Sequence, residues 1–277
     1  MSFTTDHTFH IGEQHSRNGK PNQDYALSGT FENGLAYIIV SDGCSSGGLT
    51  DIGSRLMVLA TKQALVEISA TINPFENPNA IELVNQRRDT LLEQFRRALD
   101  LEYQDLLATC LWAISSSEFT LVNLTGDGIV AIQTEAGLTI EQFEWDKNMP
   151  YYPAYRLNQT DSLFIETHGD EPYPFRQTRL SEESGEYCSP KSTLEGMSGW
   201  SVQIESSKLI SLALFTDGVE QIDSLGYKEA VERLMAFKST SGQFAVRRMN
   251  RFLKEVNTSG RGAIDDISYA VINFDES

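Results

Sequence analysis

The chain has 277 residues, of which 40% are hydrophobic and 22% charged, and this apolar content is enough to bury a sizeable core. The formal net charge of −17 excludes nucleic acid or an anionic membrane as the main partner, because binding to either requires a basic face. Three cysteines without a CxxC spacing favour neither a disulfide framework nor a thiolate zinc site. With no signal peptide or long apolar run predicted, we expect a cytoplasmic protein.

The predicted strands and helices follow one another in blocks. Runs rich in β-branched and aromatic residues predict strands at residues 35–40, 118–124, 129–133, 209–215 and 267–274. Apolar residues at helical spacing predict helices at 52–72, 80–108, 227–237 and 243–256. Blocks of this kind favour an α+β fold in which helices lie against antiparallel sheets.

Residues 145–199 form a polar, proline-containing stretch that is predicted to be an irregular insertion within a single domain spanning 1–277. An insertion of this kind acts either as a functional lid or as a surface feature with no role in chemistry. Its aromatic residues indicate a peptide-contacting surface or, more typically, a small satellite core. They are Tyr151, Tyr152, Tyr155, Tyr173 and Phe175.

Aspartates stand at the ends of four predicted strands. They occur in the pairs Asp42-Gly43, Asp127-Gly128, Asp217-Gly218 and Asp265-Asp266. A single Asp-Gly pair after a strand is usually a turn signal. When the strands pack in two sheets, however, the acids converge on one edge and repel one another unless cations bind there.

Oxygen-only ligands suit Mg²⁺ or Mn²⁺, whereas zinc usually recruits histidine or cysteine. The four histidines show no HxH or HxxxH pairing and are assigned ordinary roles, of which that of His15 is the least secure because it lies near the NQD segment. Two such ions about 3.5–4 Å apart activate a shared water towards phosphorus. The pattern therefore predicts phosphoester hydrolysis.

The motifs occur in an order that resembles the type 2C metal-dependent serine/threonine protein phosphatases, particularly their bacterial members. They are PNQDYA (21–26), VSDGCSSGG (40–48), LTGDGIVAI (124–132), LFTDGVEQI (214–222) and IDDISYAVI (264–272). The resemblance covers nearly the whole chain. It implies a four-layer αββα sandwich, two antiparallel sheets flanked by helices, with two Mn²⁺ or Mg²⁺ ions in a cleft and a phosphorylated protein as substrate.

The resemblance also assigns roles within the site. It implies that Asp42 bridges the two ions, that the Gly43 carbonyl is a further ligand, and that Asp217 and Asp265 complete one coordination shell. Asp24 acts mainly through bound water. Asp127, together with Asp217, is implied to hold a third, more weakly bound ion.

The chain departs from the family pattern at three positions. Gln23 replaces an acid that many relatives have, and Cys44 stands where some relatives have a histidine that protonates the leaving group. Gly19 occupies the usual position of the phosphate-binding arginine. Arg17 is predicted to take over that role because of its bidentate geometry, and Lys20 is the alternative.

Two other functions compete with protein dephosphorylation. The substituted positions suggest a pseudo-phosphatase that binds phosphoproteins without turnover, although every principal acidic ligand is present. Because a metal site recognises the phosphate more than the group attached to it, a phosphatase of small molecules is the other alternative.

Overall fold

The computed structural model describes residues 2–168, 172–181, 184–258 and 262–275. In chain order its strands are β1 (Ser2–His10), β2 (Tyr25–Thr30), β3 (Ala36–Ser41), β4 (Cys110–Ser115), β5 (Phe119–Thr125), β6 (Gly128–Thr134), β7 (Gly137–Trp145), β8 (Phe175–Ser181), β9 (Gly185–Lys191), β10 (Trp200–Glu205), β11 (Ser211–Phe215) and β12 (Ile267–Asp275). They form two antiparallel sheets, with strand orders β1-β12-β11-β6-β7-β8-β9 and β10-β5-β4-β3-β2.

The helices are α1 (Glu13–Arg17), α2 (Thr50–Thr71), α3 (Ala80–Leu99), α4 (Ala154–Leu157), α5 (Asp161–His168), α6 (Thr193–Ser198), α7 (Tyr227–Met235) and α8 (Phe244–Thr258). The four longer helices, α2, α3, α7 and α8, cover the outer faces of the sheets. Helices α2 and α3 share a core with the five-stranded sheet, and α7 and α8 share one with the seven-stranded sheet. A third core fills the space between the sheets. The predicted αββα sandwich is therefore confirmed.

Strand β3 shows how alternation in the sequence builds these layers. All six of its residues are buried, because successive side chains point to opposite faces and both faces are covered. Tyr37 and Ile39 pack with α2 and α3, whereas Ile38 and Val40 face the other sheet. Burying each such aliphatic side chain stabilises the fold by about 1.5–3 kcal/mol. The strand thereby fixes the position of Asp42, which follows it directly.

The predicted helix at 80–108 is too long, because α3 ends at Leu99. Asp100 adopts a left-handed conformation with φ 55°, which stops the helix, and its N–H donates to the carbonyl of Arg96. A 3₁₀ turn at Tyr103–Leu106 then leads into β4. Apolar residues continue at helical spacing beyond the stop, and for this reason periodicity alone misplaced the helix end.

The prediction that residues 145–199 are irregular is also wrong. The segment contains α4, α5, α6 and a hairpin, β8–β9, that extends the seven-stranded sheet. Strand β9 lies at the sheet edge and is largely exposed, so its sequence lacks the apolar alternation that identifies strands. Tyr151 and Phe175 are buried between the sheets, which confirms the core interpretation for them, while Tyr173 is exposed.

Within the described ranges, no helix is both long enough and apolar enough to cross a bilayer. All three cysteines are free thiols.

Candidate metal centre

The predicted acids meet where strands of both sheets end. Asp42 follows β3, Asp217 follows β11, Asp127 precedes β6 and Asp265 lies two residues before β12. Strand β11 pairs with β6 so that Phe215 is opposite Ile129, which brings Asp217 and Asp127 to the same edge. Asp24, directly before β2, completes the group.

Asp24, Asp42 and Asp217 form a row of carboxyl groups that act on one another electrostatically. The Thr216 hydroxyl donates to Asp24 Oδ2 at 2.6 Å. A divalent cation would relieve the repulsion between these carboxylates.

The electrostatics of this row favour cation binding. Burial raises the pKa of Asp24 to about 8, and the charges of Asp266 and Asp217 add to the effect. Burial and then the charge of Asp265 raise the pKa of Asp217 to about 6. The pKa of Asp42 lies well above its ordinary value because of burial and the charges of Asp24 and Asp217. Buried oxygen donors that repel one another in this way fit a hard divalent cation.

Asp127 stands at the end of this group, towards Glu220. Burial and then the charges of Asp217 and Glu220 raise its pKa well above the ordinary value. Burial also raises the pKa of Glu220 to about 8, although Gln142 Nε2 donates to its Oε2 at 2.7 Å. Glu220 has no recognisable signal in the sequence, because this residue follows Asp217 within a 3₁₀ turn and belongs to no acidic pair.

Gly43 is required where it stands because other backbone lies too close for a side chain. A Cβ there would meet the Thr50 carbonyl oxygen at 2.4 Å. Its N–H donates to the carbonyl of Gln23 at 3.1 Å. This bond ties the strand end that carries Asp42 to the segment that carries Asp24.

Asp265 joins the group through a shared amide. Gln221 Nε2 lies 3.2 Å from Asp265 Oδ2 and 3.4 Å from Asp217 Oδ2. The amide therefore holds the two carboxylates, which come from different strands, side by side.

The neighbouring Asp266 anchors the N-terminal segment. Its two carboxylate oxygens accept hydrogen bonds from the N–H groups of Gly12 at 2.7 Å and Gln23 at 2.6 Å. The buried His15 places Nδ1 2.9 Å from Asp266 Oδ2, away from the line of an ideal hydrogen bond. Potential ligand atoms of His15, Asp265 and Asp266 lie within 4.8 Å of one another. Sequence spacing gave no sign of this contact beyond the closeness of His15 to the NQD segment.

The two candidate phosphate-binding cations lie in different surroundings. Arg17 is exposed and forms an ion pair with Glu13 in the same short helix. It lines a surface cavity with Asp223 and Asn257. The ammonium of Lys20 lies 3.5 Å from the carbonyl oxygen of Ser45, in the loop that follows Asp42 and Gly43.

The insertion reaches the centre through Tyr152. This residue is 7% exposed and lies near Cys44, which is among the groups that raise its pKa. Burial raises the pKa of Tyr152 well above its ordinary value, and the charges of Asp127 and Asp42 add to the effect. The phenol therefore stays neutral beside the acids.

The sequence pattern of the protein phosphatase 2C family matches residues 11–256. The chain belongs to the protein phosphatase 2C family. The match includes the segments that carry Asp24, Asp42, Asp127 and Asp217 and ends before Asp265. The predicted family and enzyme class, a protein phosphatase, are thereby confirmed. A comparison with curated proteins found no match to the chain.

Solved structures of 2C-type phosphatases share the fold. Serine/threonine phosphatase Stp1 of Staphylococcus aureus superposes with a TM-score of 0.59 at 12% identity, covering 100% of this chain and 96% of that one. The Mycobacterium tuberculosis phosphatase PstP/Ppp gives 0.56 at 13% identity, with 100% of both chains covered. A serine-threonine phosphatase 2C of Toxoplasma gondii gives 0.57 at 16%, covering 99% and 95%.

Proposed function

We propose that this phosphatase hydrolyses phosphoserine and phosphothreonine on proteins, with water as the nucleophile and divalent ions as cofactors. The observation that carries the proposal is the row formed by Asp24, Asp42 and Asp217, whose carboxylates repel one another unless a cation binds. Family membership and the serine/threonine phosphatases of the same fold support the substrate class.

In this proposal Asp42 would be the ligand common to two Mn²⁺ or Mg²⁺ ions, because the charges of both Asp24 and Asp217 act on it. The Gly43 carbonyl, Asp217 and Asp265 would supply further ligands. Asp24 would act mainly through water, and Asp127 would help to hold a third ion. When bound, the ions lower the pKa of a water molecule and polarise the phosphate.

The chain's own residues orient the reaction around this centre. Gln221 holds Asp217 and Asp265 in register, and Thr216 orients Asp24. Because Cys44 stands where some relatives have a proton-donating histidine, the departing serine or threonine oxygen would take its proton from water held in the metal centre.

We further propose that residues 1–277 act as one cytoplasmic unit in which the insertion at 145–199 forms one wall of the site. The contact between Tyr152 and Cys44 supports this role for the insertion.

The direct test measures the initial rate of phosphate release from a phosphothreonine peptide and from p-nitrophenyl phosphate in Mn²⁺, Mg²⁺ or EDTA. We expect turnover with either ion and none in EDTA. Nucleotides and sugar phosphates serve as comparison substrates, and preference for them would identify a small-molecule phosphatase. Peptide binding without turnover in any metal, by a folded protein, would instead identify a pseudo-phosphatase.

Phosphate binding gives a second prediction. Although Arg17 is the residue predicted from sequence, its ion pair with Glu13 and the position of Lys20 beside the Ser45 carbonyl favour Lys20. A charge-assisted hydrogen bond contributes about 1.5–3 kcal/mol, so Lys20→Ala should raise KM for the phosphopeptide by about tenfold. We expect a smaller rise for Arg17→Ala. The reverse order, measured by steady-state kinetics, would assign the phosphate to Arg17.

A further inference from the structure

Positive charge is concentrated in one part of this acidic chain. Residues 236–254 contain five lysines and arginines and no aspartate or glutamate, although the whole chain has a formal net charge of −17. The segment runs from the end of α7 through a loop and along most of α8. These two helices form the outer layer on the seven-stranded sheet, a layer that contributes none of the candidate metal ligands.

Four of these cations line one surface cavity of about 240 Å³, and no carboxylate is among its lining residues. Its floor is apolar, because Phe244 is buried in the core and the ring of Phe237 packs edge-on against it with centroids 5.0 Å apart. The cationic residues around the cavity are Lys238, Arg247, Arg248 and Arg251.

Two of the guanidinium groups are held by neutral oxygens. Arg247 Nη2 donates to the carbonyl of Ser241 at 2.7 Å, and Arg248 Nε donates to the carbonyl of Arg233. Only Arg251 pairs with an acid, Glu255, at 2.9 Å. Within the part of the chain that the structure describes, no carboxylate forms an ion pair with Lys238, Arg247 or Arg248. The guanidinium groups of Arg247 and Arg248 are therefore fixed in position by neutral oxygens, and Glu255 is the carboxylate whose charge acts on Arg248.

The environment of Arg248 supports this description. Its pKa is lowered mainly by burial, and the nearby charges of Arg251 and Arg233 lower it further, against the opposing effect of Glu255. Like charges held together at a surface gain free energy when an anion binds between them.

We propose that this cavity docks an acidic segment of a partner protein, with one large apolar side chain on the aromatic floor and flanking carboxylates on the cationic rim. The volume suits one side chain better than a folded surface, and the apolar floor distinguishes the site from one for a simple anion. Because the chain as a whole repels acidic partners, this patch is where such a segment gains most from charge complementarity.

Helix α8 leads from this cavity to the one that contains Arg17. Its residue Asn257 lines that second cavity together with Arg17 and Ile264. Arg247 and Asn257 are ten positions apart on the helix, which corresponds to about 15 Å. About five residues of extended peptide span that distance. A partner docked here would therefore place an adjoining segment beside the cavity that contains Arg17.

The experiment measures the fluorescence anisotropy of a labelled peptide of glutamates with a central leucine, titrated with the whole chain. We expect the double charge reversal Lys238→Glu/Arg247→Glu to weaken binding by more than about tenfold, and binding to weaken with salt. The single variant Lys238→Ala should weaken peptide binding less than the double variant. Because position 238 is exposed, this substitution should leave the fold intact, so its effect on binding does not depend on misfolding. Lys208→Glu/Lys228→Glu is the matched control, because it makes the same charge change at exposed lysines outside the cavity and should leave affinity unchanged.

Three results would overturn the proposal. They are wild-type-like affinity in the double variant, equal affinity for a peptide with serine in place of leucine, and equally charge-dependent binding to anionic lipid vesicles. The last would assign the patch to a membrane surface. Hydrolysis of p-nitrophenyl phosphate should be the same in all variants, so failure of docking and failure of the proposed catalysis are separable.

Discussion

Replacing Asp42 with asparagine should reduce metal-dependent phosphate release by at least about a thousandfold. Changing a residue that only supports a metal ligand already costs about 10–100-fold, and Asp42 lies between Asp24 and Asp217, where it would contact both ions. Asparagine keeps the shape but removes the charge and one oxygen ligand. The measurement is the initial rate on a phosphothreonine peptide in saturating Mn²⁺.

The matched control is Asp223→Asn, which removes an exposed acid outside the group and should leave the rate within about twofold of wild type, since exposed charges interact weakly. Circular dichroism should show that both variants are folded. If Asp42→Asn retained most of the activity on the peptide, the assignment of the metal centre would be wrong.

The second large effect concerns stability without metal. Burial raises the pKa of Asp24 from 3.8 to about 8, so between these values the folded protein holds a proton that the unfolded chain releases. Stability therefore falls as pH rises through this window and then levels off. The loss is on the order of 5 kcal/mol, and we expect Tm in EDTA to be about 5–10 °C lower at pH 8 than at pH 5.

Asp24→Asn tests this contribution, because it removes the buried ionisation of Asp24 together with its effect on the pKa of Asp42. The variant should show a smaller pH effect than wild type and a higher Tm at pH 8 in EDTA. Saturating Mn²⁺ should raise the Tm of wild type by more at pH 8 than at pH 5, since binding then replaces fewer protons. The explanation would be contradicted if the Tm of wild type in EDTA, measured relative to that of Asp24→Asn, stayed constant or rose between pH 5 and pH 8.

Three of the strands that sequence predicted have two covered faces, although β4 is equally buried and no strand was predicted there. Strands β3, β11 and β12 consist almost entirely of buried residues, so their β-branched and aromatic runs stood out. The edge strands β1, β9 and β10 are half exposed and carry many polar residues, and no strand was predicted at any of them. Their pairing depends on neighbours far away in the chain, which local patterns do not encode.

The residues of the candidate site also differ in whether a local sequence pattern identifies them. Asp42, Asp127, Asp217 and Asp265 were identifiable because each stands at the end of a recognisable strand in an acidic motif. Whether they bind metal stays a prediction. The contact of His15 with Asp266 was not identifiable, because it joins segments about 250 residues apart and leaves no spacing to detect.

The two hydrogen bonds that Asp266 accepts from Gly12 and Gln23 have a consequence for the order of biosynthesis. They join residues 254 and 243 positions apart. During synthesis on the ribosome, the N-terminal segment that carries Asp24 can form these hydrogen bonds only after nearly the whole chain has been made. Contacts between residues so far apart in the sequence form late and slowly. A nascent chain would complete the candidate metal centre only after residue 266 has emerged, so we expect incomplete chains to be inactive.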